Sequence, residues 1–322
     1  MLTDSLLLIV GLFLLVAGGD GLVRGASALA FRLGISPLVV GLTVVAFGTS
    51  APELSVNVAA AITDRGEISF ANVVGSNIAN VGLAVGLVAL FRPIAIERAV
   101  IVREIPMMTL GTVATLVLAC DVWLTGSDGP NSFSRADGLT LLLFFVIFLY
   151  YTVSEGLRQR SAAAGEPPVE GLLTFPRALV YVALGLGGLM LGGNLTVDSA
   201  SSLALQLGLS QAFVGLTVVA LGTSLPEIVT SLMGVLRGSD AIAVGNVVGS
   251  NIFNVLFVLG TTSSIRAVPV PAGGIWDLLV ALAFALVLLP ISFNPARRIG
   301  RKGGVLLVSG YVGFIAWRAI AG

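Results

Sequence analysis

The segment GLTVVAFGTSAPE at residues 41–53 recurs 174 positions later as GLTVVALGTSLPE at 215–227, and NVVGSNIAN at 72–80 recurs at the same offset as NVVGSNIFN at 246–254. The first pair differs only at Phe47/Leu221 and Ala51/Leu225, the second only at Ala79/Phe253. The self-match runs without a gap from about Gly18 to Gly86. A duplication kept for packing alone would favour small residues, because these let membrane helices approach closely. It gives no reason to keep a carboxylate, a proline and an asparagine in register twice. The chain must use one polar peptide in two places.

That peptide sits in very apolar surroundings. Of 322 residues 56% are hydrophobic and 11% charged, where soluble domains carry about 25% charged residues. Mean hydropathy is +1.03, so the chain reads as an integral membrane protein. The 17 basic and 17 acidic residues balance, which argues against a nucleic-acid binder. With no histidine and a single cysteine, Cys120, His-ligated metals, a histidine-based triad and an intrachain disulfide are all excluded.

A span needs about 20 mainly apolar residues. Reading apolar runs between charged, Pro and Gly clusters predicts ten spans, near 4–30, 37–62, 68–91, 99–119, 137–157, 173–204, 212–236, 241–263, 275–292 and 303–321. The first is read as a span, not a signal peptide, because Met1-Leu2-Thr3-Asp4 has no positive region and the apolar run is too long. Counted on alternate sides, one face holds Arg24, Arg32, Arg92, Arg98, Arg103, Arg158, Arg160, Arg177, Arg237, Arg297, Arg298, Arg301 and Lys302. The other holds Arg65, Arg135, Arg266 and Arg318. The positive-inside rule makes the first face cytoplasmic, with both termini outside and the 158–172 loop inside.

Residues 1–157 and 173–322 then each hold five spans, with repeat motifs at 41–86 and 215–260, joined by the linker 158–172. Five is odd, so the second half threads the membrane upside down relative to the first. The expected fold is all-α, ten transmembrane helices in two inverted-topology repeats, with binding near the midplane where they meet.

Of the acidic residues, only Glu53 and Glu227 lie deep in spans and in both repeats. A charged side chain at the bilayer centre costs about 2.5–3.5 kcal/mol, and no basic residue lies mid-span to offset it. The expected counter-ion is a bound cation or a proton. Pro52 and Pro226 precede the glutamates and, lacking an N–H, break the helix and release the carbonyls of Gly48 and Gly222. Thr49 and Thr223 stand four residues before the glutamates, Ser50 and Ser224 three, all on the same face. Asn72, Ser76 and Asn80 form one polar stripe, repeated by Asn246, Ser250 and Asn254. The donors are all oxygen, which suits Ca²⁺ or Na⁺ rather than softer metals.

These residues resemble the cation/calcium exchanger superfamily, whose two repeats carry G-[TS]-S-x-P-E followed by G-S-N-x-x-[ND]. The chain is similar to its compact prokaryotic sodium/calcium members. The resemblance implies Glu53 and Glu227 as central Ca²⁺ ligands that also meet Na⁺. It implies that Thr49, Ser50, Thr223, Ser224, Ser76, Ser250, Asn80 and the carbonyls of Ala46 and Ala220 complete the sites. It further implies that spans 1 and 6 slide past the core, with Gly18-Gly19 and Gly192-Gly193 as flexible or closely packed points. Asn254 stands where some relatives carry Asp; it keeps an oxygen, loses a titratable charge, and sets the expectation of no potassium requirement.

Expected partners are thus Ca²⁺, Na⁺ and the lipid bilayer of the cell membrane, with no organic cofactor, no nucleic acid and no obligate protein partner. A Ca²⁺/H⁺ antiporter remains the alternative, since buried carboxyls carry protons without any histidine. From another class, an intramembrane aspartyl protease would need Asp20 and Asp198, but their repeat positions do not correspond. A passive cation channel is the third option.

Overall fold

The computed structural model describes residues 1–126, 128–162, 173–208, 220–293 and 295–321. Among these, eight helices are long and apolar enough to cross a membrane: Leu2–Leu33, Gly66–Phe91, Val100–Leu118, Arg135–Arg158, Phe175–Gln206, Asp240–Ile265, Gly274–Ser292 and Arg301–Ile320. Pro37–Thr49 and Ala51–Ile62, bent by 46°, make a ninth. Leu225–Leu236 is a shorter apolar helix. It ends the run read as 212–236, whose residues 212–219 lie outside the described residues, as do 215–219 of the repeated motif. The helix Arg135–Ala162 continues five residues into the stretch read as linker, whose remainder, 163–172, is likewise outside the described residues.

Leu2–Leu33 and Phe175–Gln206, each 32 residues long, lie against one another. Their contact runs through glycine. A Cβ at Gly18 would stand 2.7 Å from the Leu189 nitrogen and one at Gly192 2.6 Å from the Leu15 nitrogen, so side chains at these positions would force the backbones apart. The glycine pairs named from sequence thus divide their work. Gly18 and Gly192 face the opposite long helix, while Gly19 faces Val229 and Gly193 faces Pro226. Both long helices turn large apolar residues such as Phe13 and Leu184 outward, as contact with lipid requires.

The most enclosed helices are Gly66–Phe91 and Asp240–Ile265, the carriers of the Asn-Ser-Asn stripes. Around them packs a core that includes Phe70, Ile78, Ile105, Leu259 and Leu278. Gly249 and Gly245 bring Asp240–Ile265 onto the backbone of Gly41 and Leu42.

Two short antiparallel ladders close the ends. Ile94↔Ile299 and Ala95↔Arg298 join one pair of loops, Ser132↔Pro269 and Phe133↔Val268 another. The loops contact one another in the two groups that counting spans alternately assigns to opposite faces. On one side Arg92 Nη1 donates to Val235 O at 2.6 Å, the Ala95 N–H to Asp240 Oδ2 at 2.8 Å and the Ile96 N–H to Arg297 O at 2.8 Å. On the other, Arg266 pairs with Asp64 at 2.8 Å, Arg135 Nη2 donates to Ile265 O at 3.3 Å and the Val270 N–H to Asn131 O at 2.9 Å.

Candidate cation-binding site

The proline breaks predicted from sequence are present. The helix Pro37–Thr49 stops at Ser50, and a new helix, Ala51–Ile62, starts with Pro52 in its first turn. In the second repeat Leu225–Leu236 starts after Ser224 with Pro226 in the same place. Proline at the start of a helix loses nothing, because the first N–H groups have no intrahelical acceptor. Each break delivers its glutamate into the first turn of a helix deep in the protein. Glu53 and Glu227 are both fully buried.

Hydroxyls and amides surround them, and neither glutamate enters an ion pair among the described residues. Ser50 Oγ donates to Glu227 Oε1 at 3.0 Å, joining the first break to the second glutamate. Ser76 Oγ lies 3.5 Å from Glu53 Oε1. Thr49 Oγ1 donates to Asn246 Oδ1 at 3.0 Å and lies 3.4 Å from Ser250 Oγ. With the repeats exchanged, Thr223 Oγ1 lies 3.5 Å from Asn72 Oδ1. Asn246 Nδ2 also reaches the Glu227 carbonyl at 3.3 Å.

The asparagines of the second motif interlock. Asn77 Nδ2 donates to Asn251 O at 3.1 Å and Asn251 Nδ2 to Asn77 O at 3.2 Å. Asn80 Nδ2 donates to Asn251 Oδ1 at 3.0 Å, and Asn254 Nδ2 to Asn77 Oδ1 at 3.2 Å. Every contact in this set has its counterpart 174 residues away.

What this network leaves over is mostly acceptor oxygen. Glu53 Oε2, Glu227 Oε2, Asn80 Oδ1, Asn254 Oδ1 and Asn57 Oδ1 are buried without a hydrogen-bond partner, as are the hydroxyls of Ser224 and Thr230. Buried polar atoms normally find partners, so a cluster of orphaned oxygens calls for one. Asn72 Nδ2 is the one orphaned nitrogen of the two motifs among the described residues; for the carboxylate and amide oxygens the partner must bring positive charge, which describes a hard cation or a proton.

Of the twelve positions expected from sequence, Glu53, Glu227, Thr49, Ser50, Ser76, Ser224, Ser250, Asn80 and Asn254 are buried side chains of this region. Thr223 is half-buried and tied to Asn72. The Ala46 carbonyl already accepts from the Ser50 N–H at 3.0 Å and lies 3.4 Å from Thr49 Oγ1. Ala220 opens the single turn Ala220–Gly222. There Ser224 N–H bonds to Leu221 O at 3.2 Å instead of four residues back, so the two breaks differ in detail.

The expectations did not include Asn77, Asn251, Asn57, Thr230 or Ser231. Asn57 Nδ2 donates to the Glu53 carbonyl at 2.7 Å, and Ser231 Oγ accepts from Asn246 Nδ2 at 3.2 Å. Asn57 and Ser231 share the repeat offset and stand four residues after the glutamates, a spacing that could have pointed to them. Nor did sequence anticipate the wide π-type turns Asn80–Val85 and Phe253–Val258, which start at or next to the stripe asparagines. Such turns recur at functional sites. The aspartates of the protease alternative are not brought together: Asp20 is ion-paired with Arg24 at 2.9 Å and with Arg237, while Asp198 is exposed.

Comparison with known proteins identifies the family of the chain. The family model described as sodium/calcium exchanger protein matches residues 4–154 and 177–320, the two halves separately. CaxA of Alkalimonas amylolytica is 37% identical over 98% of each chain. The sodium/calcium exchanger MaX1 of Methanosarcina acetivorans is 33% identical over 97% of each. A solved structure of the sodium-calcium exchanger NCX_Mj superposes with a TM-score of 0.82 at 32% identity, covering 97% of this chain and 98% of the other. The chain belongs to the sodium/calcium exchanger protein family, as a membrane-embedded cation transporter of its compact kind.

Proposed function

We propose that the protein is a secondary active antiporter that exchanges Ca²⁺ for Na⁺ by alternating access, binding both ions at the membrane midplane between Glu53 and Glu227. The supporting observation is the pair of fully buried glutamates, each with one carboxylate oxygen unpartnered, set among orphaned amide and hydroxyl oxygens. Two carboxylates balance one Ca²⁺ or two Na⁺, so occupancy by one ion species displaces the other from shared oxygens. Flexible, oxygen-rich coordination favours Ca²⁺ over Mg²⁺, which holds its waters in a strict octahedron. By their names, MaX1 and NCX_Mj exchange sodium and calcium. The protein performs transport rather than covalent chemistry and needs no organic cofactor and no obligate protein partner.

In this proposal the chain spans the cell membrane ten times, as two inverted five-helix repeats, 1–157 and 173–322. The linker 158–172 is cytoplasmic and both termini face out. Thr49, Ser50, Ser76, Asn80 and the Ala46 carbonyl serve the ions on one side of the pair. Thr223, Ser224, Ser250, Asn254 and the Ala220 carbonyl serve them on the other. Leu2–Leu33 and Phe175–Gln206 move together across this core to expose the site to either face.

Purified protein in Na⁺-loaded liposomes, diluted into Na⁺-free medium with trace Ca²⁺, tests the reading. Ca²⁺ accumulation that requires the Na⁺ gradient and survives a protonophore at clamped potential supports it. Accumulation that follows an imposed pH gradient instead assigns the protein to Ca²⁺/H⁺ exchange at the same carboxylates.

A further inference from the structure

On the arginine-rich face, well apart from the ion site, a cavity of about 520 Å³ lies between the start of Val100–Leu118 and the end of Gly274–Ser292. Arg98, Ile101, Val102, Ser292, Phe293, Pro295 and Arg297 line it. The two guanidinium groups have no carboxylate beside them in this lining, and neither enters an ion pair among the described residues. Ser292 is fully buried, and its hydroxyl has no hydrogen-bond partner. Phe293 and Val102 are 68% and 61% exposed, an apolar edge next to a cationic hollow.

The hollow is held in shape. The Ile96 N–H donates to Arg297 O at 2.8 Å, and the Ala95↔Arg298 pairing follows directly. Arg297 itself adopts a φ of 45°, a conformation that non-glycine residues adopt rarely and at a cost. None of these groups contacts the glutamates or their network, and folding alone offers no use for two unpaired arginines beside an orphaned buried hydroxyl.

We propose that this cavity binds the phosphate headgroup of an anionic phospholipid. Arg98 and Arg297 take the phosphate oxygens through charge-assisted hydrogen bonds, the Ser292 hydroxyl donates a third, and the acyl chains run along Val102 and Phe293. A basic pocket at the ends of membrane helices, on the side richest in arginine, matches the physical setting of an anionic leaflet. A free phosphate would use the same donors but leave the exposed phenyl and isopropyl groups without a role.

The test is thermal unfolding and native mass spectrometry of the purified full-length protein with dioleoylphosphatidylglycerol, dioleoylphosphatidylcholine or inorganic phosphate. Phosphatidylglycerol is expected to be retained and to raise Tm above the phosphatidylcholine value. The R98Q/R297Q pair weakens it by about tenfold, as for loss of charge-assisted hydrogen bonds. R301Q/K302Q, neighbours outside the lining, keeps it. S292V, which removes only the hydroxyl, weakens it several-fold and serves as the second probe should the double variant fail to fold. Unchanged retention in S292V together with R98Q/R297Q overturns the proposal. An equal loss in R301Q/K302Q also overturns it, by showing general surface attraction. Stabilisation by inorganic phosphate equal to that by the lipid overturns the lipid as occupant.

Discussion

Asn77 and Asn251, 174 positions apart, each donate an amide hydrogen to the other's backbone carbonyl, at 3.1 and 3.2 Å. Their own Oδ1 atoms accept from Asn254 and Asn80. The consequence is directional. The amide nitrogens of these four asparagines all donate into protein, and the Oδ1 atoms of Asn80 and Asn254 are left unpartnered in the interior. Asn77 and Asn251 therefore fix which way the Asn254 and Asn80 amides are turned.

Replacing Asn77 or Asn251 by alanine removes two hydrogen bonds and strands a buried carbonyl, a loss of about 1–3 kcal/mol per orphaned group. Each single variant is expected to unfold at lower temperature. Each amide bonds the other residue's backbone, which alanine keeps, so the single variants remove separate pairs of bonds and the N77A/N251A double variant removes all four. Its loss is expected to be at least that of either single variant and close to their sum. A double variant no less stable than either single variant by thermal unfolding would contradict these contacts.

The glycine contact between the long helices makes a second prediction. A Cβ at Gly185 would stand 2.5 Å from the Leu22 nitrogen, whereas one at Gly187, in the same helix, meets nothing within 4 Å. Gly185→Ala must push the helix backbones apart and is expected to cost about 1–3 kcal/mol, as overpacking does. Gly187→Ala is expected to be neutral or to stabilise by about 0.5–1 kcal/mol through helix propensity. Thermal unfolding of both variants distinguishes the faces.

Charges near the membrane ends differ in worth. Arg103 Nε lies 2.6 Å from Glu104 Oε1, and Glu104 is only 2% exposed. Arg266 and Asp64 pair at 2.8 Å with 52% and 69% of their side chains exposed. Arg103→Gln leaves a buried carboxylate unpaired and is expected to cost several kcal/mol. Arg266→Gln is expected to cost less than about 1 kcal/mol, as exposed pairs do. Equal unfolding midpoints for the two variants would contradict this ranking.

Much of this arrangement was legible in the sequence, because the repeat and the proline before each glutamate leave little freedom. A proline mid-span must break a helix, and both breaks lie at the predicted points. The alternate-side count of arginines also anticipated which loops meet, since loops on one face can touch only each other. Less was legible in the second motif. Its i, i+4 stripe through Asn72, Ser76 and Asn80 passes over Asn77, whose role depends on a partner helix that spacing along one helix does not reveal. The π-type turns at Asn80–Val85 and Phe253–Val258 were hidden for a similar reason: an extra residue per turn leaves no mark in a pattern of apolar residues. The differing backbone bonds at Ser50 and Ser224 arise between nearly identical peptides, so packing rather than local sequence sets them.

The central claim is that Glu53 and Glu227 hold the transported cations. Uptake of radioactive Ca²⁺ into Na⁺-loaded proteoliposomes, compared for the wild type, Glu53→Gln and Glu227→Gln at equal incorporation, tests it most directly. Glutamine keeps the size and one oxygen while removing the charge. Na⁺-driven uptake in the wild type and its loss in both variants, with their unfolding midpoints preserved, is the predicted result. Wild-type rates of Na⁺-driven uptake in either variant would contradict it.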